Sequence, residues 1–271
     1  MARYLIYLRP DAYENTTSEI LAKAAGISRA DANRVIRSQV PKSIAVCKSP
    51  QEVKKRIEEL RRKGLDGIAI TREAMHAFEP IEVSCATKGD GGMFWNTRDE
   101  PVWLGTDDVK MILAGKIKKL SETEEASRYK GPYDMLVNDF ASSSENRPTS
   151  NIRLTRKSST RFVLLFCGLD EGYILRGDSF DFHTTLGYRA PTRKRSFDAL
   201  IEILRETHPG ALFDDALYNR PQVVQTFEKM YKRDDLALVA HGASRVKEGS
   251  TDGQMMRLAY LKYATALAGK D

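Results

Sequence analysis

The string RGDSFDFH, residues 176–183, contains side chains whose types could do chemistry: Asp178, Asp181 and His183. Hydrolysis needs a nucleophile, a base and an orienting acid, and Gly-Asp-Ser can begin a hydrolase nucleophile turn. Strand alternation would place Ser179, Asp181 and His183 on one side, opposite two phenylalanines. Because catalysis needs these groups around the nucleophile and not along one strand, we predict a polar strand face. An enzyme of unrecognised type is therefore only the third functional hypothesis.

Metal and cofactor motifs are absent from the sequence. Its four histidines show no His-x-x-x-His or His/Cys spacing, which leaves Asp181 and His183 as the only near pair. The glycines of KGDGG predict a hairpin turn, because a Walker loop would continue with Gly-Lys-Ser/Thr. A dinucleotide Gly-x-Gly-x-x-Gly fingerprint and the aromatic strings of RNA-recognition domains are missing too. We predict no metal and no cofactor.

A basic amphipathic helix is indicated by GISRADANRVIRSQVPKSIAV, which begins at Gly26. At 100° per residue its apolar positions form one stripe, and three arginines gather on the opposite side. Arginine without nearby acids is favoured at anionic contacts. We therefore predict a surface that binds an acidic protein partner, formed by Arg29, Arg34, Arg37 and Lys42.

The alternative for this helix is an ordinary solvated face, as the next helix illustrates. There the sequence predicts i,i+4 pairs of Glu58 with Arg62 and of Glu59 with Lys63, which neutralise much of the charge. The arginine helix has only Asp31 to balance its cations. Both interpretations are compatible with the sequence.

Capping signals in the first seventy residues predict several helix starts. Thr16 with Glu19, and Ser28 with Asp31, are typical helix starts, and a third helix begins at Ser49 before a proline. Short apolar runs around them, YLIYL, SIAVC and GIAIT, predict strands. The predicted order is β-α-α-β-α-β.

This order, together with AAGISRADANRVIRSQVPKSIAVCKSPQEVKKRIEELRRKGLDGIAI, resembles the C-terminal domain of the bacterial ribosomal stalk protein, and the Clp protease adaptor shares the topology. The resemblance covers residues 3 to 72 and rests on Gly26 to Ala32, the Pro-Lys pair and the final basic helix before a strand. It implies the same fold and carries over Gly26 with the helix after it. In the stalk family such a domain contacts translation GTPases with its helical face, and in the Clp adaptor a pocket holds a peptide end.

The sequence pattern in the middle of the chain predicts an antiparallel β-rich domain. Four strands are predicted before a long Ser/Thr-rich excursion at about 121–160, and three after it: RFVLLFCG, YILRGD and SFDFHTTLGY. One helix follows, with Ser196 as its N-cap. Seven strands closed by a helix resemble a pleckstrin-homology-like barrel in element count and order, which implies a protein-docking module.

The tail is predicted to be helical in RPQVVQTFEKMYKRDD and in QMMRLAYLKYATALA, with a loop, HGASRVKEGSTDGQ, between them. The apolar stripe of the last helix is typical of a core or of a homodimer contact. The predicted class is α+β, with a stalk-like module at 1–78, a β-rich domain at 79–210 and a helical extension at 211–271.

The composition supports a globular protein: 271 residues, 41% hydrophobic and 30% charged, with a mean hydropathy of -0.45. No apolar run approaches the length of a membrane span, and the three separated cysteines fit a reducing compartment, so we predict a cytoplasmic location. The net charge of +6 permits an acidic protein or nucleic acid as partner.

Together these patterns favour a non-catalytic interaction or adaptor protein that binds an acidic protein partner. The alternative is a nucleic-acid-associated or translation-associated binding factor. It would use the arginine row and the basic TRKR at residues 192–195, and its binding would weaken with salt.

Overall fold

The computed structural model describes residues 3–14, 16–38, 41, 43–126, 151–188, 190–219, 228–230 and 245–267. Helices and strands alternate in them without a simple repeat, so the predicted α+β class is confirmed. Contacts divide the chain into unit 1 (Met1–Lys116, Thr160–Gln225 and Gly253–Asp271) and unit 2 (Ile117–Ser159 and Thr226–Asp252). The domain boundaries predicted after residues 78 and 210 stay predictions.

The N-terminal module, residues 3–71, is a three-stranded antiparallel sheet with helices. Its strands, in the order β2-β1-β3, are β1 (Tyr4–Leu8), β2 (Ser43–Cys47) and β3 (Gly67–Thr71). Its helices are α1 (Pro10–Glu14), α2 (Ser18–Ala25), α3 (Arg29–Ser38) and α4 (Pro50–Arg61). The predicted order β-α-α-β-α-β is present, with the short helix α1 added.

The helix starts of the module follow local capping chemistry. Ser28 and Ser49 begin α3 and α4 as predicted, and each hydroxyl accepts a first-turn N–H, at 3.0 and 3.3 Å. The cap of α2 is Thr17 and not the predicted Thr16, because the Thr17 hydroxyl accepts a first-turn N–H at 3.3 Å. Gly26 ends α2 with a φ of 69°, in the left-handed region that favours glycine.

The core of the module lies between the sheet and the helices. Helix α3 contributes Ala32 and Val35, and α4 contributes Leu60, at 0%, 5% and 1% exposure. Ala32 and Val35 lie on the predicted apolar stripe of α3, so its helical periodicity is confirmed. The other members are Ile6, Leu8, Ala12, Leu21, Ala24, Ala25, Ile44, Cys47 and Leu65.

After helix α5 (Arg72–Ala77), unit 1 continues with a seven-stranded sheet. Its order is β10-β7-β8-β9-β4-β5-β6, and β7 and β8 also run into unit 2. The strands are β4 (Ile81–Gly89), β5 (Gly92–Thr97), β6 (Pro101–Gly105), β7 (Met111–Ala126), β8 (Asn151–Phe166), β9 (Gly172–Arg176) and β10 (Leu212–Asp215).

This sheet is mixed, so the wholly antiparallel arrangement predicted for it is wrong. Strand β9 pairs parallel to β4, and β10 pairs parallel to β7. Each pair is separated by a long stretch of chain, which is the condition for parallel pairing, whereas the hairpin of β4 and β5 is antiparallel as predicted. The pleckstrin-homology-like resemblance stays a prediction.

Two predictions between β9 and β10 are wrong. The segment SFDFHTTLGY is a turn followed by α6 (Phe182–Leu186) and not a strand. The next helix, α7 (Arg193–Thr207), begins after Thr192 and not after Ser196, because the Thr192 hydroxyl accepts the Arg195 N–H at 3.3 Å. Ser196 is 6% exposed inside the helix.

The excursion and the tail also differ from the predictions. Residues 121–126 continue β7 and 151–160 belong to β8, so both ends of the predicted excursion are strands. In unit 2 the order is β11-β12-β7-β8, with β11 (Glu228–Met230) in the predicted helix and β12 (Arg245–Ser250) in the predicted loop. Both segments are strands because each is hydrogen-bonded to a neighbouring strand: β11 pairs with β12, and β12 pairs with β7. The rest of that helix, and residues 127–150, lie outside the described residues.

The last helices of unit 1 are α8 (Ala216–Asn219) and α9 (Asp252–Leu267), the latter as predicted. Helix α9 is a core element: Tyr260 and Tyr263 contact the rings of Phe78 and Phe166, at 5.4 and 4.3 Å between ring centres. A homodimer through α9 stays a prediction. Among the described residues, no helix combines the length and the hydropathy that a membrane crossing requires.

Candidate functional site

The predicted contact surface lies on α3, which is anchored in the module by its opposite side. Val35 is buried in the core, and Arg29, Arg34 and Arg37 are exposed. The structure therefore places three of the four predicted residues on the exposed side of one helix, here called the α3 arginine face. Lys42 lies outside the described residues.

Only part of this charge is balanced locally. Arg34 Nη1 lies 3.3 Å from Asp31 Oδ1, and the Ser28 hydroxyl donates to the other oxygen of Asp31 at 2.7 Å. The side chains of the pair are 73% and 53% exposed, so their attraction adds little to stability. Arg29 and Arg37 have no acidic partner within the part of the chain that the structure describes.

The arginines on and just after helix α4 are paired with acids, whereas Lys54, Lys55 and Lys63 have no ion pair in the described ranges. Arg62 pairs with Glu58 at 2.9 Å, as predicted. Glu59 does not take the predicted partner Lys63, but accepts from Arg56 at 2.9 Å, because Arg56 also donates to a carbonyl of α2 at 3.0 Å and is held in place. The hydrogen bond from Arg56 lowers the pKa of Glu59.

An open groove of about 610 Å³ follows the outer side of α4. Two of its three cations are already paired, one with Glu58 and the other, through Arg61 Nη2, with Asp66 at 3.6 Å. This partial neutralisation makes the groove a weaker anion site than the α3 arginine face. Its lining residues are Lys54, Ile57, Glu58, Arg61 and Arg62.

The net charge of the chain comes from its N-terminal part. Residues 1–71 contain 14 Lys and Arg and 8 Asp and Glu, whereas the whole chain contains 43 and 37. The N-terminal part therefore accounts for the entire net charge of +6, and residues 72–271 are neutral overall. An acidic partner is attracted to this end of the sequence before it makes any contact.

The polar string around Asp178 does not form the strand that would align its side chains. Asp178 accepts the Thr160 hydroxyl at 3.0 Å, while Asp181 caps α6 and accepts the His183 backbone N–H at 3.0 Å. The hydrogen bond from the Thr184 hydroxyl, at 2.6 Å, is the largest of the effects that lower the pKa of Asp181. Both carboxylates are thus engaged in turn and cap contacts.

Metal-ligating groups are scattered through the described ranges, where no three His, Cys, Asp or Glu side chains come together as a metal site would require. The described histidine most protected from water is His208, at 1% exposure, whose Nδ1 lies 3.2 Å from the Thr106 carbonyl oxygen. Burial lowers the pKa of His208. The imidazole therefore belongs to the interior of unit 1.

A cationic and aromatic cluster in unit 1 is not predicted by the sequence. Lys116 Nζ lies 4.1 Å from the centre of the Tyr218 ring, and the Arg161 guanidinium lies 4.8 Å from the same ring. Arg161 also pairs with Asp198 at 3.1 Å. These residues come from β7, β8, α8 and α7, so only the fold brings them together, and no local pattern in the sequence signals them.

Comparison with known proteins gives no match: no family model, no curated protein and no solved structure resembles the chain closely enough to be matched. The resemblance of residues 3 to 72 to the stalk domain therefore stays a prediction. Function is therefore inferred from the geometry and charge of the chain itself.

Proposed function

We propose that the chain is a non-catalytic interaction protein that binds an acidic surface of a partner protein through the α3 arginine face. The observation that carries the proposal is that Arg29 and Arg37 are exposed with no acidic partner among the described residues. Ala30, also exposed on α3, leaves room for a partner backbone to approach closely. The planar guanidinium bonds a carboxylate through two N–H groups, which gives such a contact direction as well as charge.

Two further observations support the proposal. The N-terminal part accounts for the entire net charge of +6, so electrostatic attraction favours encounters at this end of the sequence. The resemblance to the stalk domain favours the same use, since that family contacts its partners with a helical face. A cytoplasmic location is part of the proposal.

The test compares two variants with the same change of charge. One carries Arg29→Glu, Arg34→Glu and Arg37→Glu, and its control carries Lys54→Glu, Lys55→Glu and Lys63→Glu on and beside α4. Each is immobilised and exposed to native lysate, with and without nuclease treatment. We expect proteins that wild type retains after nuclease treatment to be lost by the first variant and kept by its control.

Three results contradict the proposal. Proteins retained equally by all three forms would show that the α3 arginine face is not the contact. Equal loss with both variants would show that net charge alone governs binding. Loss of all bound material after nuclease treatment would favour a nucleic-acid-associated factor, whose affinity falls steeply with salt, over a protein interface with an apolar centre.

A further inference from the structure

A second group of cations lies in unit 1, outside the N-terminal module. Helix α7 begins with three exposed cations, and its first turn holds no acidic residue. The strand β8 adjoins this turn, because Arg193 Nη1 lies 3.4 Å from the Gly177 carbonyl oxygen and the Gly177 N–H donates to the Arg161 carbonyl at 2.7 Å. Lys116 joins through the Tyr218 ring that it shares with Arg161. The α7 basic patch is defined as Lys116, Arg193, Lys194 and Arg195.

The charge of this patch is not cancelled by its surroundings. Arg161 is paired with Asp198, so it adds no free charge. Arg193 donates to two backbone carbonyls, at 3.4 and 3.2 Å, and these carry no formal charge. Lys116, Lys194 and Arg195 have no acidic partner in the described ranges. Four cations of the patch therefore have no close acidic partner in the described ranges.

The three cations in the first turn of α7 also oppose the helix locally. The helix macrodipole makes the first turn of α7 positive, so each added cation there destabilises the helix. They are not needed for capping, because the Thr192 hydroxyl already accepts the Arg195 N–H. Local conflicts of this kind are expected at functional sites, where a ligand relieves them.

An exposed aromatic residue precedes the cations of α7 closely in the sequence. Tyr188, 54% exposed, lies in the connection that leads from α6 into α7. An acidic peptide would need only the cations for binding. A single-stranded nucleic acid presents phosphates, which bind cations, and unpaired bases, which stack on aromatic rings. We propose that the α7 basic patch binds the phosphates of single-stranded nucleic acid while Tyr188 stacks on a base.

The probe is a fluorescein-labelled oligothymidylate of about 15 nucleotides, a length within the usual range of single-strand sites. Binding to the full chain is followed by fluorescence anisotropy between about 0.05 and 0.3 M NaCl. Four phosphate contacts predict a slope of about −3 for log K against log salt, since each contributes about −0.7 on a single strand. Arg193→Glu, Lys194→Glu and Arg195→Glu together should weaken binding about 100-fold at 0.1 M salt and reduce the slope to about −1.

Three controls separate this surface from its alternatives. The charge-matched variant of the α3 arginine face should keep the oligonucleotide affinity within a few-fold of wild type. The α7 variant should melt within a few degrees of wild type, because glutamate in the first turn favours the helix dipole and offsets the two exposed hydrogen bonds that Arg193 loses, so its loss of binding is not unfolding. Tyr188→Ala should weaken binding about tenfold and leave the salt slope unchanged.

The proposal is overturned if wild type shows no salt-dependent binding, or if reversal at the α3 arginine face weakens binding as much as reversal at α7. No effect of Tyr188→Ala, or equally tight binding of poly-glutamate, would show a general anion surface and refute nucleic acid as its ligand. The acidic-partner proposal depends on α3 alone, so the failure of either proposal is recognised separately.

Discussion

Lys262 and Asp214 form a buried ion pair, and removal of one partner should destabilise the protein more than removal of the other. Lys262, on α9, is 8% exposed and its ammonium contacts the carboxylate of Asp214, which is 24% exposed. The second oxygen of Asp214 accepts the Ala216 N–H at 2.7 Å. Removal of the acid therefore leaves a buried, unpaired cation. Removal of the cation leaves an anion that keeps one hydrogen bond and some contact with water.

The expected changes in the free energy of unfolding follow from the different exposure of the charge that remains. Asp214→Asn keeps an acceptor for the backbone N–H but removes the charge, and we expect it to lower the free energy of unfolding by about 3–5 kcal/mol. Lys262→Met should lower it by about 1–2 kcal/mol, since the remaining carboxylate is partly hydrated. The double variant should lie within about 1 kcal/mol of wild type, because neutral replacement of a whole buried pair is often tolerated.

Urea unfolding followed by tryptophan fluorescence is the appropriate assay. Both tryptophans, Trp95 and Trp103, belong to unit 1, so the signal reports on the unit that contains the pair. Arg62→Met is the control, because its ion pair is largely exposed and should contribute about 0.5 kcal/mol or less. Equal costs for the two single variants, or costs that simply add in the double variant, would refute the reasoning.

Three further predictions concern other contacts of the structure. Gly115→Ala should cost about 1–3 kcal/mol, because a Cβ there would lie 2.4 Å from the fully buried ring of Phe162, whereas Gly210→Ala meets nothing within 4 Å and should melt like wild type. Burial lowers the pKa of His208 in the folded chain, so the unfolded chain binds a proton more readily. Stability should be full above pH of about 6.5 and fall by up to about 1.4 kcal/mol per pH unit below it, a slope that His208→Gln should remove from urea midpoints taken at several pH values. Arg56→Ala loses two hydrogen bonds that join α4 to itself and to α2, and should lower the urea midpoint clearly more than Arg62→Met does.

The N-terminal module could be predicted because its signals are local. Ser28 and Ser49 fix two helix starts through their own hydroxyls, and the spacing of Ala32 and Val35 fixes which side of α3 is buried. Once that side is known, the exposed position of the arginines follows. The candidate surface on α3 was therefore accessible from sequence alone.

The remaining errors occur where tertiary contacts decide the structure. Phe180 and Phe182 alternate with polar residues as in a strand, yet they contact each other in the core, at 5.1 Å between ring centres, because Asp181 starts a helix between them. Strand β12 has little apolar character and forms by pairing with β7. In the α7 basic patch only Lys116 comes from a distant strand, because the sequence TRKR already indicates the other three cations. Periodicity over a few residues contains none of this information.

The two basic surfaces allow charge to be separated from location. Reversal of three cations on α3, or of three on α7, changes the net charge of +6 by six units in each case. Both variants therefore lose the same long-range attraction for anions, and a difference in their affinities has to come from contacts at the replaced side chains. Selective loss of an acidic protein with one variant and of oligothymidylate with the other would establish two separate surfaces. Equal losses with both would mean that net charge governs binding, and would refute the two sites together.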